Sequence, residues 1–149
     1  MTVVADTQQR FSDAWESLFR TTRRLRARAN RIPGDSGLTL SQYHLLEALR
    51  EADELPVGEL ADRAGVAPPT ATRMLDCLAR DGFVERRHSQ IDRRSVLVSL
   101  TPDGKAAVER AHDVITAWRG EVLERLHPDE REPAARLLAR LAEVLEEDL

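Results

Sequence analysis

The chain has 149 residues, 42% hydrophobic and 32% charged, and carries a net charge of −4 at neutral pH. That length suits one domain, and a lone copy would bury only about 68–70% of its unfolded surface. No apolar run approaches the roughly 20 residues of a membrane span, no signal-peptide core opens the sequence, and the single cysteine allows no internal disulfide, so a cytoplasmic location is expected.

The charge is unevenly spread: +4 over residues 1–31, −6 over 32–62, +3 over 63–94 and −5 over 95–149. A basic face set against an acidic bulk fits an anionic partner better than the total suggests.

In chain order, a long first helix is expected from about Thr7 to Ile32. Phe11, Trp15, Leu18, Thr22, Leu25, Ala29 and Ile32 recur at steps of four and three, a near-heptad seam. Pro33-Gly34-Asp35-Ser36-Gly37 breaks it. Thr39 followed by Gln42 is a capping box that starts a second helix running to about Ala52, with Tyr43, Leu45, Leu46 and Leu49 as core. Val57, Leu60, Ala61 and Ala64 mark a short third helix, and Gly65-Val66 makes a turn.

The stretch 68–100 organises the rest. Pro68-Pro69 open a fourth helix, where missing N–H groups cost nothing. On its buried face Met74, Leu75 and Leu78 fall within about 60° of Ala71. The opposite face carries Pro69, Arg73, Asp76 and Arg80, flanked by Thr70 and Thr72. Gly82 ends the helix. Two strands follow, 83–88 and 95–100, joined by the polar tip Ser89-Gln90-Ile91-Asp92-Arg93-Arg94. A helix with an arginine-bearing outer face followed by a basic-tipped ribbon has the form of a winged helix-turn-helix.

Thr101-Pro102 start a fifth helix striped by Val108, Ala111, Ile115, Trp118 and Val122. After His127-Pro128 a sixth carries Ala134, Leu137, Leu138, Leu141, Val144 and Leu145. The terminal stripes are too large for a small winged helix to cover and imply a second copy related by a two-fold axis. The expected fold is mainly α with a small β-wing, in the order α-α-α-α-β-β-α-α. It forms a single domain over 1–149, with a dimerisation lobe at about 7–36 and 102–149 and a DNA-binding lobe at about 38–101.

Leu78-x-x-x-Gly82-Phe83-Val84-x-Arg86, then Asp92-Arg93-Arg94, then Leu100-Thr101-x-x-Gly104 resembles the signature of the MarR family of bacterial transcription regulators. Leu38-Thr39-x-x-Gln42, Glu59-Leu60-Ala61 and Thr72-Arg73 match it too, so the resemblance runs from about Phe11 to Leu145. It implies a dimeric winged-helix repressor or activator, often released from DNA by a small molecule bound between the lobes. Two positions depart from the pattern: Ala67, where the family often has a serine N-cap, and Cys77, where a basic residue is common.

The N-terminal residues of a recognition helix reach base edges in the major groove, which here means Pro69, Thr70, Thr72 and Arg73. Arg73 suits guanine O6 and N7, a pairing that contributes about 1–3 kcal/mol of discrimination; the plain alternative is a solvated arginine or an ion pair with Asp76 or Asp62. Wing arginines suit the negative potential of a narrow minor groove. In members resembling this chain the wing aspartate holds an arginine for that purpose. Carried over, Asp92 orients Arg94 while Arg93 sits at the tip. Arg86 and Arg87 face phosphates or brace the wing, and Arg63 is a further phosphate candidate.

Trp15, Phe19, Tyr43, His44 and Trp118 are candidates for an effector cleft that takes an aromatic or phenolic molecule, with core or dimer seam as the alternative. His44, His88, His112 and His127 lack zinc-ligand spacing, so no metal is expected. Cys77 reads as an inert, half-buried thiol. No phosphate-cradling glycine loop, nucleophile–base pair or carboxylate pair suggests an enzyme. Two functions remain open. One is a homodimeric regulator that binds a pseudo-palindromic DNA operator. The other is a winged-helix protein-interaction module without DNA.

Overall fold

A computed structural model describes residues 2–28 and 31–147. They fall into two compact units divided after His112, and a helix over Pro102–Glu124 passes from one into the other.

In the first unit, α1 spans Thr2–Arg28. None of its residues with a described side chain is buried, and Phe11 and Leu18 are half exposed, so the part of the expected seam from Phe11 to Leu25 lies uncovered. The helix was expected to reach Ile32. Residues 29 and 30 lie outside the described set, and Ile32 belongs to the following loop, where it is buried and its N–H donates to the Leu38 carbonyl at 3.0 Å. Pro33 explains the difference, because the residue before a proline is driven out of the helical region.

Helix α2, Leu40–Leu46, starts on the expected capping box: Gln42 N–H donates to Thr39 Oγ1 and Thr39 N–H to Gln42 Oε1. It does not continue to Ala52. The chain tightens into a 3₁₀ turn over Glu47–Arg50, which still buries Leu49 beside Tyr43, Leu45 and Leu46. A short strand, β1 (Leu55–Pro56), follows and was not expected. It pairs Leu55 with Val98, adding a third antiparallel strand at the edge of the expected two-stranded ribbon. Pro56 is tolerated because β1 is an edge strand.

Helix α3 runs Val57–Ala64 and ends on Gly65 at φ 63°, a left-handed position that suits glycine. Helix α4 runs Pro68–Arg80 and buries Ala71, Leu75 and Leu78 of the stripe read from the sequence, while Met74 is only partly buried. Its end is a Schellman motif: Phe83 N–H bonds to the Leu78 carbonyl at 2.9 Å and Gly82 N–H to that of Ala79 at 3.1 Å, with Gly82 at φ 79°. Strands β2 (Val84–His88) and β3 (Val96–Leu100) pair in register from Val84↔Leu100 to His88↔Val96. Alternation in β3 puts Val98 and Leu100 in the core.

Thr101 joins the sheet to the next helix. Its N–H donates to the Phe83 carbonyl, its hydroxyl donates to the Gly82 carbonyl at 2.6 Å, and the same oxygen accepts from Gly104 N–H at 3.0 Å. Helix α5, Pro102–Glu124, then buries Ala107, Val108 and Ala111.

In the second unit, α6 spans Pro128–Glu146, and the Arg131 guanidinium donates to the Glu124 carbonyl at 3.0 Å across the connection. None of the described residues of α6 is buried, and Leu137 and Leu138 are each 60% exposed. On α5, Trp118, Val122 and Leu123 are exposed as well.

Candidate nucleic-acid interface

The start of α4 lacks a side-chain cap at Ala67, yet none of its first four helical residues leaves an orphan donor. Pro68 and Pro69 have no N–H to satisfy, and the N–H groups of Thr70 and Ala71 both reach the Ala67 carbonyl, at 2.9 and 3.0 Å. The prolines therefore replace the missing serine. In consequence this turn presents side chains, not backbone donors, to a ligand.

Pro69, Thr70, Thr72 and Arg73 are all exposed. The Thr72 hydroxyl donates to the Pro68 carbonyl at 3.0 Å, so its proton is engaged within the helix while its methyl and lone pairs stay available. Neither ion pair considered for Arg73 forms. Asp76 is held at 2.7 Å by Arg86, and among the described residues Arg73 has no ion-pair partner.

The wing tip is tied by its own polar groups. Ser89 N–H donates to the Ser95 carbonyl and Ser95 N–H to that of Asp92, both at 2.9 Å. Ser89 Oγ accepts from the N–H groups of Ile91 and Asp92. Asp92 Oδ1 accepts from the backbone N–H of Arg94 at 3.0 Å. Asp92 therefore holds the main chain of Arg94 rather than its guanidinium. Arg93 and Arg94 are exposed, with no ion-pair partner among the described residues. A groove of about 460 Å³ brings Thr72 of the recognition helix together with Arg86, Asp92 and Arg94 of the wing.

The other basic candidates are engaged. Arg86 binds Asp76, and Arg87 binds Glu54 through two contacts, Nε to Oε2 at 2.9 Å and Nη2 to Oε1. Of the two roles open to them, this geometry is the bracing one. Arg63 pairs with Glu59 one turn earlier at 2.5 Å. Sequence reasoning did not identify Glu54 or Ser89 as supports. Glu54 lies 33 residues from Arg87, and no periodic signal links the two. Farther back, the Arg50 guanidinium forks onto Glu109 at 2.9 and 3.3 Å, joining the 3₁₀ turn to α5. That hydrogen bond holds the Glu109 carboxyl below its ordinary pKa and raises that of Arg50.

Within the first unit the effector candidates fall in two pairs, Tyr43 with His44 and Trp15 with Phe19. Tyr43 is buried, its hydroxyl 2.9 Å from His112 Nδ1. His44 sits 3.3 Å from Glu47 in a cavity of about 230 Å³ that Arg26, Arg63 and Val66 also line. Trp15 and Phe19 stack at 4.7 Å and line a separate hollow on α1 with Arg20 and Arg23. Trp118 belongs to the second unit. No three His, Cys, Asp or Glu side chains among the described residues gather as a metal site, and none of the described helices is long and apolar enough to cross a membrane.

Residues 38–96 match the model of the MarR family. The chain is 33% identical over 136 residues to an uncharacterized HTH-type transcriptional regulator of Mycobacterium leprae (strain TN), covering 91% of this chain and 92% of that one. The chain belongs to the MarR family. It is a transcription regulator with a winged-helix fold, and its relatives are named as regulators rather than enzymes. Among solved structures it is similar to a mutant MarR of E. coli complexed with operator DNA, at 30% identity and a TM-score of 0.71, over 85% of this chain and 91% of that one. It is also similar to Bordetella bronchiseptica BpsR, whose structure concerns regulation of DNA binding by 6-hydroxynicotinic acid. That match is 28% identical with a TM-score of 0.72, over 87% of this chain and 98% of that one. Gly82, Thr101 and Gly104 of the family pattern are the residues that close α4 and tie the start of α5 to the turn that follows it.

Proposed function

We propose that this regulator is a cytoplasmic homodimer that binds a pseudo-palindromic DNA operator and represses transcription until an aromatic or phenolic small molecule releases it. One observation carries the DNA reading. On a single braced unit, Arg73 on the recognition helix and Arg93 and Arg94 on the wing are exposed and without ion-pair partners among the described residues, while the neighbouring arginines are engaged. Free guanidinium groups on a helix and on a ribbon suit a major groove and the adjacent minor groove. An interaction module would instead favour exposed aromatics on this face.

The uncovered stripes of α1 and α6, with Trp118 and Val122 of α5, support the dimer, whose terminal segments at about 7–36 and 102–149 would form the shared lobe. Two reading heads related by a two-fold axis would meet half-sites about one helical turn apart. The operator complex of E. coli MarR and the 6-hydroxynicotinic acid response of BpsR support the DNA partner and the effector class.

The test is a footprint on the DNA upstream of the regulator's own gene, with and without 6-hydroxynicotinate and other aromatic acids, alongside sedimentation equilibrium. A protected two-fold site, lost on adding one of the acids, is expected from a dimer. A monomer at micromolar concentration, or no protection in dilute salt, overturns the proposal.

A further inference from the structure

Ile91 is the most exposed large apolar side chain among the described residues, with its whole surface open to solvent, and it stands at the tip of the wing. Isolated apolar residues on a surface need no explanation as a rule. This one differs in how it is presented. The polar groups of the tip turn inward: Ser89 Oγ takes the N–H groups of Ile91 and Asp92, Asp92 Oδ1 takes that of Arg94, and the Ser89–Ser95 and Ser95–Asp92 backbone bonds close the loop. What remains outward is Ile91, with Gln90 before it and the guanidinium groups of Arg93 and Arg94 just beyond. The tip is an apolar knob on a hydrogen-bonded base with two positive charges beside it.

We infer that Ile91 is a DNA contact, seated between the deoxyribose walls of the minor groove while the adjacent arginines meet the groove's negative potential. The inference rests on the DNA-binding reading above and adds an apolar term to it. A minor groove has C–H walls rimmed by phosphates, so it complements this knob in both shape and charge, and isoleucine is among the wedges that minor-groove proteins use. Ordering of the tip before binding means that little entropy is lost in placing the side chain. The contact neutralises no phosphate, so it releases no counterion and adds affinity without adding to the salt dependence.

The experiment compares the unaltered protein with Ile91→Ser, Ile91→Leu and Arg94→Ala. Each is titrated against a duplex selected by the unaltered protein from a randomised pool, at several salt concentrations. Ile91→Ser should weaken binding about tenfold with the slope of log affinity against log salt unchanged. Ile91→Leu should restore most of the loss, and Arg94→Ala should flatten the slope by about one charge. Melting temperatures should not move, because Ile91 touches no core. Equal binding by the serine variant and the unaltered protein overturns the inference and leaves the DNA reading standing, as does a serine variant with a flattened slope. Failure of the unaltered protein to select any duplex overturns both. An anionic-vesicle arm, in which Ile91→Ser abolishes vesicle binding and leaves DNA affinity intact, would assign the knob to a lipid surface instead and likewise overturn it.

Discussion

Arg86 and Asp76 lie 2.7 Å apart, tying the first strand of the wing to the recognition helix. With Arg87 bound to Glu54 at the root of β1, the pair fixes the angle at which the ribbon leaves the helix. Both pairs are partly exposed, so each contributes less than about 1 kcal/mol to stability. Their effect on DNA should be geometric. Arg86→Gln is expected to weaken operator binding about fivefold with no change in salt slope, and the exchange Asp76→Arg with Arg86→Asp should recover most of it. A slope flattened by about one charge in Arg86→Gln would show a phosphate contact instead.

Arg73 has the opposite signature. It is exposed, has no ion-pair partner among the described residues, and follows a helical turn whose backbone offers no donor. Arg73→Ala should therefore relax sequence preference at one position of each half-site, by about 1–3 kcal/mol of discrimination, and leave the others unchanged. Selection of binding sites from a random pool by the variant and the parent reads this directly. Uniform weakening at all positions would remove Arg73 from base readout.

Gly104 gives the family pattern a physical cause. A Cβ placed there would lie 1.9 Å from the Phe83 carbonyl oxygen and 2.8 Å from its carbon. That carbonyl is held by Thr101 N–H and cannot withdraw without breaking the turn that seats α5. Gly104→Ala should cost about 3 kcal/mol or more, measured by denaturant unfolding. Gly82→Ala should cost less, since open space surrounds it and only its φ of 79° is strained.

Such positions explain which parts of the molecule were legible in the sequence. Helix ends set by local chemistry were readable: the Thr39–Gln42 box, Pro68-Pro69, Gly65 and Gly82 act within a few residues of themselves. The stripe of Ala71, Leu75 and Leu78 was readable because one helix period decides it. Strand β1 was not, since two residues ending in proline carry no period and pair only because Val98 arrives from 43 positions away. The roles of Arg86 and Arg87 were left open for the same reason, as their partners come from other elements. For Arg73 the deciding fact was a negative one, that Asp76 is taken by Arg86, and only a structure supplies it.

The Arg50–Glu109 fork makes stability depend on acid in a predictable direction. The hydrogen bond from Arg50 depresses the folded-state pKa of Glu109 below its ordinary value. The unfolded chain therefore binds a proton more readily, so the contribution is present above the ordinary carboxylate range and is lost as pH falls through the lower folded value. The Glu109→Gln variant should lose less stability than the parent on acidification below about pH 5, and the two unfolding curves should converge there. Curves that stay parallel through that range would show that the pair is decoupled in solution.

The apolar residues of α6 bear on assembly rather than on folding of one copy. Leu137 and Leu138 are 60% exposed, so a charge placed there stays largely in solvent within a single chain. If a second copy covers them, burial on association stabilises the dimer by roughly 25 cal/mol per Å² of apolar surface removed from water, and a carboxylate at the same place is left desolvated and unpaired. Leu137→Glu with Leu138→Glu should therefore shift sedimentation from dimer to monomer at micromolar concentration while helical circular dichroism is retained. The monomer should keep the weak, salt-sensitive affinity of one reading head for duplex DNA and lose its preference for two correctly spaced half-sites, because only a fixed pair of heads rewards their spacing. A variant that remains dimeric would place the two-fold seam elsewhere, with the stripe of Phe11, Trp15 and Leu18 on α1 as the next surface to charge.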